Sequence, residues 1–420
     1  MKKLNALFAG MIVLSCFCAN CLSITEQILP THFIFASAED EEIATSGTCG
    51  ENLTWNFEES TGILTISGTG TMEDRDYAKS YWYNLNENIK KIILEEGVTT
   101  IRDWAFSSCE SLISVTIPDS VIAIGAGAFM NCTCLTSVTI PDSVTAIGGN
   151  SFDNTPWLTT KRNENPLVII NGILIDGTTC EQEEIIIPNS VTTIGVSAFN
   201  SCIALTSVII PDSVTAIKDY AFYNCSSLTS VTLPDSVTTI GMKAFDNTPW
   251  LEIKRNENPL VIINGILIDG TTCKQEEIII PDSVKTIGSG AFYWFESLTS
   301  VTIPNSVTRI EESAFSYCRS LISVTIPDSV TSIGDFAFSY CYSLASITIE
   351  NPECELYDFI ATIYYKTIIY GYENSTAQVY AKKYDRKFVS LLLIFSAEYG
   401  AGNVSNFEEF MEKYQNFATS

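Results

Sequence analysis

The chain has 420 residues, with 49 Asp and Glu against 23 Lys and Arg, giving a formal net charge of −26. An acidic balance of this size excludes nucleic acid and anionic membrane surfaces as partners, because both are held by Lys/Arg patches, and it suits the solubility of an exposed surface protein. Hydrophobic residues make up 46% of the chain, enough for a large core, and the length alone would suggest two or three globular domains.

The start reads as an export signal. Lys2 and Lys3 precede an apolar run over 6–18, and Ala36-Ser37-Ala38 forms a small-residue cleavage site just before Glu39-Asp40-Glu41-Glu42. Residues 1–38 are therefore expected to be a signal peptide and the remainder to be secreted or displayed on the cell surface. Val13-Leu14-Ser15-Cys16 is a lipobox-like alternative, with Leu where a smaller residue is usual. No later apolar run reaches the roughly 18 residues that a membrane span needs.

Residues 39–91 are expected to form an N-terminal β cap. LTWNF at 53–57 and ILTIS at 63–67 alternate as strands, with a Gly-bearing turn between them. From residue 92 the chain repeats itself. IPDSVIAIGAGAFMNCTCLTSVT from Ile117 returns as IPDSVTAIKDYAFYNCSSLTSVT from Ile210 and as IPNSVTRIEESAFSYCRSLISVT from Ile303. The residue after each strand-ending Ile or Leu falls at 95, 118, 141, 188, 211, 234, 281, 304, 327 and 350, a step of 23 broken by two steps of 47. A fixed apolar pattern with a period of about 20–29 residues predicts a β-rich leucine-rich repeat solenoid over 92–352, in which no unit holds a core alone and stacking joins the inward columns. Pro-Asp-Ser supplies the turn.

Six cysteines (Cys109, Cys132, Cys202, Cys225, Cys318 and Cys341) stand three residues after a repeat Phe, and Phe295, Thr155 and Thr248 take that place in other units. A position that accepts Phe is an apolar slot, so buried thiols are expected there, although coils about 4.8 Å apart would also allow disulfides. The two long steps carry near-identical inserts, 153–187 and 246–280. Each has two strands around Asn-Gly, the strongest short hairpin signal. Lys161-Arg162 and Lys254-Arg255 read as basic spots in an acidic chain, on an atypical coil or a recurring contact site.

The pattern carried by Cys202, Leu205, Val208, Ile210-Pro211, Val214, Ile217 and Ala221-Phe222 resembles the BspA-like leucine-rich repeat family of bacterial surface proteins, with Lys218 departing from the usual Gly. The resemblance covers roughly 92–352. The inserts and the segment 368–388 also resemble parts of secreted members. Membership implies a secreted or cell-surface binding role on a bacterium and no particular ligand.

After the array, residues 353–389 are expected to form an α/β C-terminal cap, with a last strand at 368–370 and a short helix over 375–384 capped by Ser375 or Asn374. Val404, Phe407, Phe410, Met411, Tyr414 and Phe417 fit one face of an amphipathic helix in the tail, 390–420.

The only histidine, His32, lies in the expected presequence, so the mature chain lacks the commonest general base and metal ligand. Neither a metal site nor a cofactor is expected. The repeated Asp119, Asp142, Asp212, Asp235, Asp282 and Asp328 read as turn formers, since Asn189 and Asn305 replace them; a carboxylate-based glycosidase is the remaining enzymatic alternative. The expected function is non-enzymatic, adhesin-like binding of an extracellular protein or polysaccharide, with a structural envelope spacer as the alternative. Candidate contact residues are the aromatics gathered in the last units: Tyr293, Trp294, Tyr317, Phe336, Tyr340 and Tyr342, preceded by Tyr220 and Tyr223.

Overall fold

The computed structural model describes residues 44–73 and 81–392. The expected presequence and the amphipathic face at 404–417 lie outside the described residues.

Each coil is built from two very short strands, because the repeat offers apolar residues only in brief runs between turns. One ladder joins the Ser-Val-Thr strands: Glu184–Ile186, Ser207–Ile209 and Ser230–Thr232 are parallel neighbours. The other joins the Ala-Ile type pairs Thr193–Ile194, Ala216–Ile217 and Thr239–Ile240. Register is fixed by the repeat itself, with Val208 opposite Val231 and Ile217 opposite Ile240. Between the strands the turns are also tied coil to coil: Phe222 N donates to Ala244 O at 2.7 Å and Asn224 N to Asp246 O at 3.0 Å. At four of the Pro-Asp-Ser turns, those of Ser120, Ser143, Ser236 and Ser329, the Ser hydroxyl donates to a carbonyl of the previous coil, as Ser236 does to Val214 at 2.8 Å. The Asp beside it is exposed at all six positions.

One residue per coil dominates the core. The repeat Phe is fully buried and stacks on its neighbour, with ring centroids 5.4 Å apart for Phe106–Phe129, 5.3 Å for Phe222–Phe245 and 5.1 Å for Phe315–Phe338. Stacked aromatic pairs add to the area they bury. Trp82 begins the first stack at 5.0 Å from Phe106, and Ile63–Gly68 already pairs in parallel with Lys91–Leu94, so the inward columns start before residue 92. The meander Ser46–Gly50, Leu53–Glu58, Ile63–Gly68 closes that end in antiparallel fashion. Its first strand, SGTCG, carries no apolar alternation and was not legible in the sequence.

The inserts contain the expected Asn-Gly hairpins, Val168–Ile170 with Ile173–Asp176 and Val261–Ile263 with Ile266–Asp269. Asn171 and Gly172 both have positive φ, 48° and 78°, as a primed two-residue turn requires. The sequence reading missed the helix before each hairpin, α1 (Pro156–Glu164) and α2 (Pro249–Glu257). These helices are short and mostly polar, so apolar periodicity does not reveal them; they are held by caps. Thr155 and Thr248, in the cysteine slot, accept the Leu158 and Leu251 N–H groups, with Pro at the first helical position. Trp157 and Trp250 then end the Phe stacks at 4.5 and 4.6 Å. A fresh stack starts after each insert, because Gly177 and Gly270 stand where any Cβ would lie 2.3 Å from the ring of Phe199 or Phe292.

At the far end, helix α3 (Thr376–Lys383) is capped by Ser375, whose hydroxyl accepts from Gln378 N. The strand Ile368–Gly371 is not the last: Phe388–Ser390 pairs with it in parallel. Arg386 and Lys387 immediately before it disguise that strand in the sequence.

All eleven described cysteines are free, and ten are buried, with Cys134 exposed. The column thiols donate to the coil before them: Cys132 to Phe106 O at 3.1 Å, Cys225 to Phe199 O at 3.0 Å and Cys341 to Phe315 O at 3.1 Å. Burial pushes the Cys132 and Cys341 thiols up to about 12. Iodoacetamide at neutral pH is therefore expected to modify Cys134 quickly and the column thiols only in denaturant, which peptide mass spectrometry would read. Phe222→Ala should cost about 3–5 kcal/mol, whereas Asp212→Asn should stay within about 0.5 kcal/mol, both measured by denaturant unfolding.

Candidate binding surface

Two residues flank the buried Phe of each repeat coil with positive φ, one two positions before it and one two positions after it, in the turn that follows. The second of them forms one column down the protein: Ser108, Asn131, Asn154, Ser201, Asn224, Asn247, Trp294, Tyr317 and Tyr340, with φ between 56° and 64° at each of the named Asn, Trp and Tyr positions. Asn suits this left-handed conformation better than other non-Gly residues. The early units use it, and the side chains bond along the column: Asn154 Nδ2 to Asn131 Oδ1 at 2.8 Å and Asn247 Nδ2 to Asn224 Oδ1 at 2.7 Å. In the last three full units the same position is Trp, Tyr and Tyr. A bulky residue held there costs on the order of 1–2 kcal/mol.

The result is an aromatic ladder on the surface. Trp294 stacks on Tyr317 at 4.7 Å and Tyr317 on Tyr340 at 4.4 Å, each pair within 16° of parallel. Tyr293 meets Tyr317 edge-on at 5.6 Å, and Tyr342 meets Tyr340 edge-on at 6.3 Å. Trp294, Tyr340 and Tyr342 remain 49%, 43% and 52% exposed, so the ladder is not part of the core. Five of the six candidates read from the sequence are thus brought together. Phe336 is not: it belongs to the first positive-φ column and packs edge-on against Phe359 at 5.0 Å. Tyr220 and Tyr223 form a separate edge-on pair at 5.5 Å.

Three residues of the surface were missed in the sequence. The Arg319 guanidinium lies 5.0 Å from the Trp294 ring centre and 5.6 Å from that of Tyr342, and it pairs with Glu296 at 3.1 Å. Such contacts hold a cation against aromatic faces. Its position one residue after the column Cys318 was the available signal. Tyr364 and Tyr365 extend the surface, Tyr364 at 5.5 Å from Tyr342 and Tyr365 at 4.8 Å from Tyr364. They fall after the repeat count ends, where spacing gives no guide.

The basic spots expected in the inserts are neutralised. Arg162 binds Asp176 through Nε at 2.6 Å and Nη2 at 3.0 Å, and Arg255 binds Asp269 at 2.9 Å. Lys161 and Lys254 pair with Glu164 and Glu257, each at 2.8 Å. The helix lays its Arg over the buried Asp that ends the hairpin, so each Arg–Asp pair clamps the insert to the solenoid. Beside each clamp lies a groove, about 240 Å³ at the first insert and about 460 Å³ at the second. The second runs up to Tyr293 and Trp294 at the head of the ladder. Within it, burial raises the pKa of the Asp246 carboxyl, and the charge of Arg255 opposes that rise.

Chemically, the surface offers ring stacking, cation contacts and hydrogen bonds. Among the described residues no group of three or more His, Cys, Asp or Glu is placed to hold a metal ion, and no helix is long and apolar enough to cross a membrane.

The profile of the BspA type leucine rich repeat region matches six copies over residues 76–172, 178–266 and 271–381, well over half of the chain. The chain belongs to the BspA-type leucine-rich repeat family. Solved structures with similarity include a leucine-rich repeat protein from Eubacterium ventriosum at 24% identity, covering 79% of this chain and 80% of that one, with a TM-score of 0.29. A leucine-rich cell surface protein from Faecalibacterium prausnitzii matches at 24% identity over 83% and 95% of the two chains, with a TM-score of 0.33. The pneumococcal vaccine antigen PcpA matches at 16% identity over 81% and 98%, with a TM-score of 0.26. No curated protein matches this chain.

Removing one partner of a clamp leaves the other charge poorly solvated. Asp269→Asn is expected to lower stability by about 2–3 kcal/mol, against less than about 1 kcal/mol for Glu257→Gln in the exposed pair, as read by urea unfolding.

Proposed function

We propose that this protein is a non-enzymatic binding protein, secreted or held at the bacterial cell surface, that engages an extracellular protein or polysaccharide through the aromatic surface of its last repeats. The export signal read in residues 1–38 supports the location. The observation that carries the binding role is the change of residue in one column. The backbone frame needs a left-handed residue there, Asn or Ser meets that need in six earlier units, and Trp294, Tyr317 and Tyr340 replace them with stacked rings, exposed at Trp294 and Tyr340 and half-buried at Tyr317. Fold maintenance gives no reason for that replacement, because the neighbouring coils hold the same turn without it. Strain of this kind gathers where function over-determines the structure, and clustered Trp, Tyr and Arg are the side chains that dominate binding energy.

The variant Trp294→Ser/Tyr317→Asn/Tyr340→Asn puts back residues that the same turn already carries. Relief of backbone strain and loss of ring stacking, about 0.5–1.5 kcal/mol per pair, nearly cancel, so the melting temperature should change by no more than about 3 °C. Retention on an array of extracellular proteins and glycans should fall at least tenfold for whichever targets the wild type holds. Unchanged retention would sink the ladder as the contact surface, and a wild type that holds no target would favour the spacer.

A further inference from the structure

The two inserts provide a comparison within one chain. They are 93 residues apart, and the groove beside each is the same piece of architecture. Arg162, Asp176, Asp153 and Thr178 of the first correspond to Arg255, Asp269, Asp246 and Thr271 of the second. The walls differ. Asn150, Asn200 and Ser201 become Lys243, Tyr293 and Trp294, while Val196 and Ser197 shrink to Ser289 and Gly290. The change puts Tyr293 and Trp294 at the wall of the second groove, about 460 Å³ against about 240 Å³ at the first.

We propose that the groove at the second insert is a sugar subsite, taking one neutral pyranose ring of a polysaccharide against the exposed part of Trp294. This deepens the binding reading above and rests on it. Trp294 heads the ladder. Tyr317 of the next coil stacks on it at 4.7 Å with the Arg319 guanidinium 5.0 Å from the ring centre, while Lys243, Asp246, Arg255, Asp269 and Thr271 of the preceding coils line the groove that reaches Trp294 and Tyr293. A pyranose presents a face of C–H groups that packs on an indole and a rim of hydroxyls that need donors and acceptors.

The groove supplies both. The carboxylate of Asp246 makes no hydrogen bond among the described residues, its nearest cation being Arg255 Nη2 at 4.0 Å, so it is an open acceptor. The Lys243 ammonium stands 4.9 Å from the centre of the Tyr293 ring and is an open donor. Thr271 is oriented by its own bond to Asp269 at 2.7 Å. Charge favours a neutral ring. Lys243 and Arg255 face Asp246, Asp269 and Glu252, in a chain of net charge −26, so the field does not draw an anionic sugar. An apolar peptide side chain would leave the Asp246 acceptor and the Lys243 donor unmet, which disfavours a protein ligand here.

The test uses the full chain and the methyl glycosides of glucose, galactose, mannose and N-acetylglucosamine, with saturation-transfer NMR as the readout. At least one glycoside should bind, with a dissociation constant about millimolar, as suits so small a ligand. The variant Lys243→Asn/Tyr293→Asn/Trp294→Ser copies the wall that the first insert already folds around, so its fold is safe; it should lose binding at least tenfold. Lys161→Gln, in the exposed ion pair of the first insert's helix and outside both grooves, should leave sugar binding within twofold. Two results would overturn the proposal: no binding of any of the four glycosides to the wild type, or undiminished binding to the groove variant. If the ladder still retains a macromolecular target in either case, only the sugar subsite falls. If the wild type retains no target either, the broader binding role falls with it.

Discussion

The structure depends on closing each coil within 23 residues so that every side chain lies over its equivalent in the next. Closure needs a sharp turn just past the buried Phe, and the chain makes it with left-handed residues and coil-to-coil backbone bonds at 2.7–3.0 Å around Phe222 and Asn224. Because the turn is tied to its neighbour by backbone, its geometry does not depend on which side chain it carries. The Phe stack, the Cys thiols bonded to the preceding carbonyl and the Val and Ile columns then fill the interior in register. Each coil has too small a core to stand alone, and the stack supplies it.

That regularity also concentrates surface chemistry. A column repeats any residue placed in it at roughly the spacing of neighbouring strands. Asn in the turn column becomes an amide ladder, as Asn131–Asn154 and Asn224–Asn247 show, and Trp and Tyr become stacked rings. A few substitutions at one frame position are thus enough to turn a polar wall into an aromatic one, with Arg319 held against it. The cost is local strain in a turn that the neighbouring coils already hold in place.

The inserts work differently. They interrupt the Phe stack, close it with Trp157 or Trp250 and restart it where Gly177 or Gly270 leaves room for the next ring. The short capped helix and the Arg–Asp clamp make the interruption rigid. Two grooves follow from two copies, and their walls have diverged around an unchanged frame. Binding chemistry in this protein is therefore sought where the sequence departs from its own repeat.

The amino-acid sequence by itself determined the solenoid, its 23-residue step, the buried Phe and Cys columns, the Asn-Gly hairpins and the short C-terminal helix, leaving its cap to Ser375 or Asn374. All of these are local or periodic, and a repeat displays its own packing as fixed letters. It also pointed to five aromatics that the structure brings into one surface. Only the tertiary structure decided that Phe336 stands apart, that Arg319, Tyr364 and Tyr365 join the surface, and that Arg162 and Arg255 are clamps instead of free basic spots. The partners of Arg162 and Arg255 sit 14 residues along the chain, outside the repeat's period, and those of Phe336, Arg319 and Tyr364 lie about one coil away at residue types that the repeat does not fix. The capped helices of the inserts and the strand Phe388–Ser390 escaped for a related reason. Capping and sheet pairing hold them, and neither leaves an apolar pattern to read.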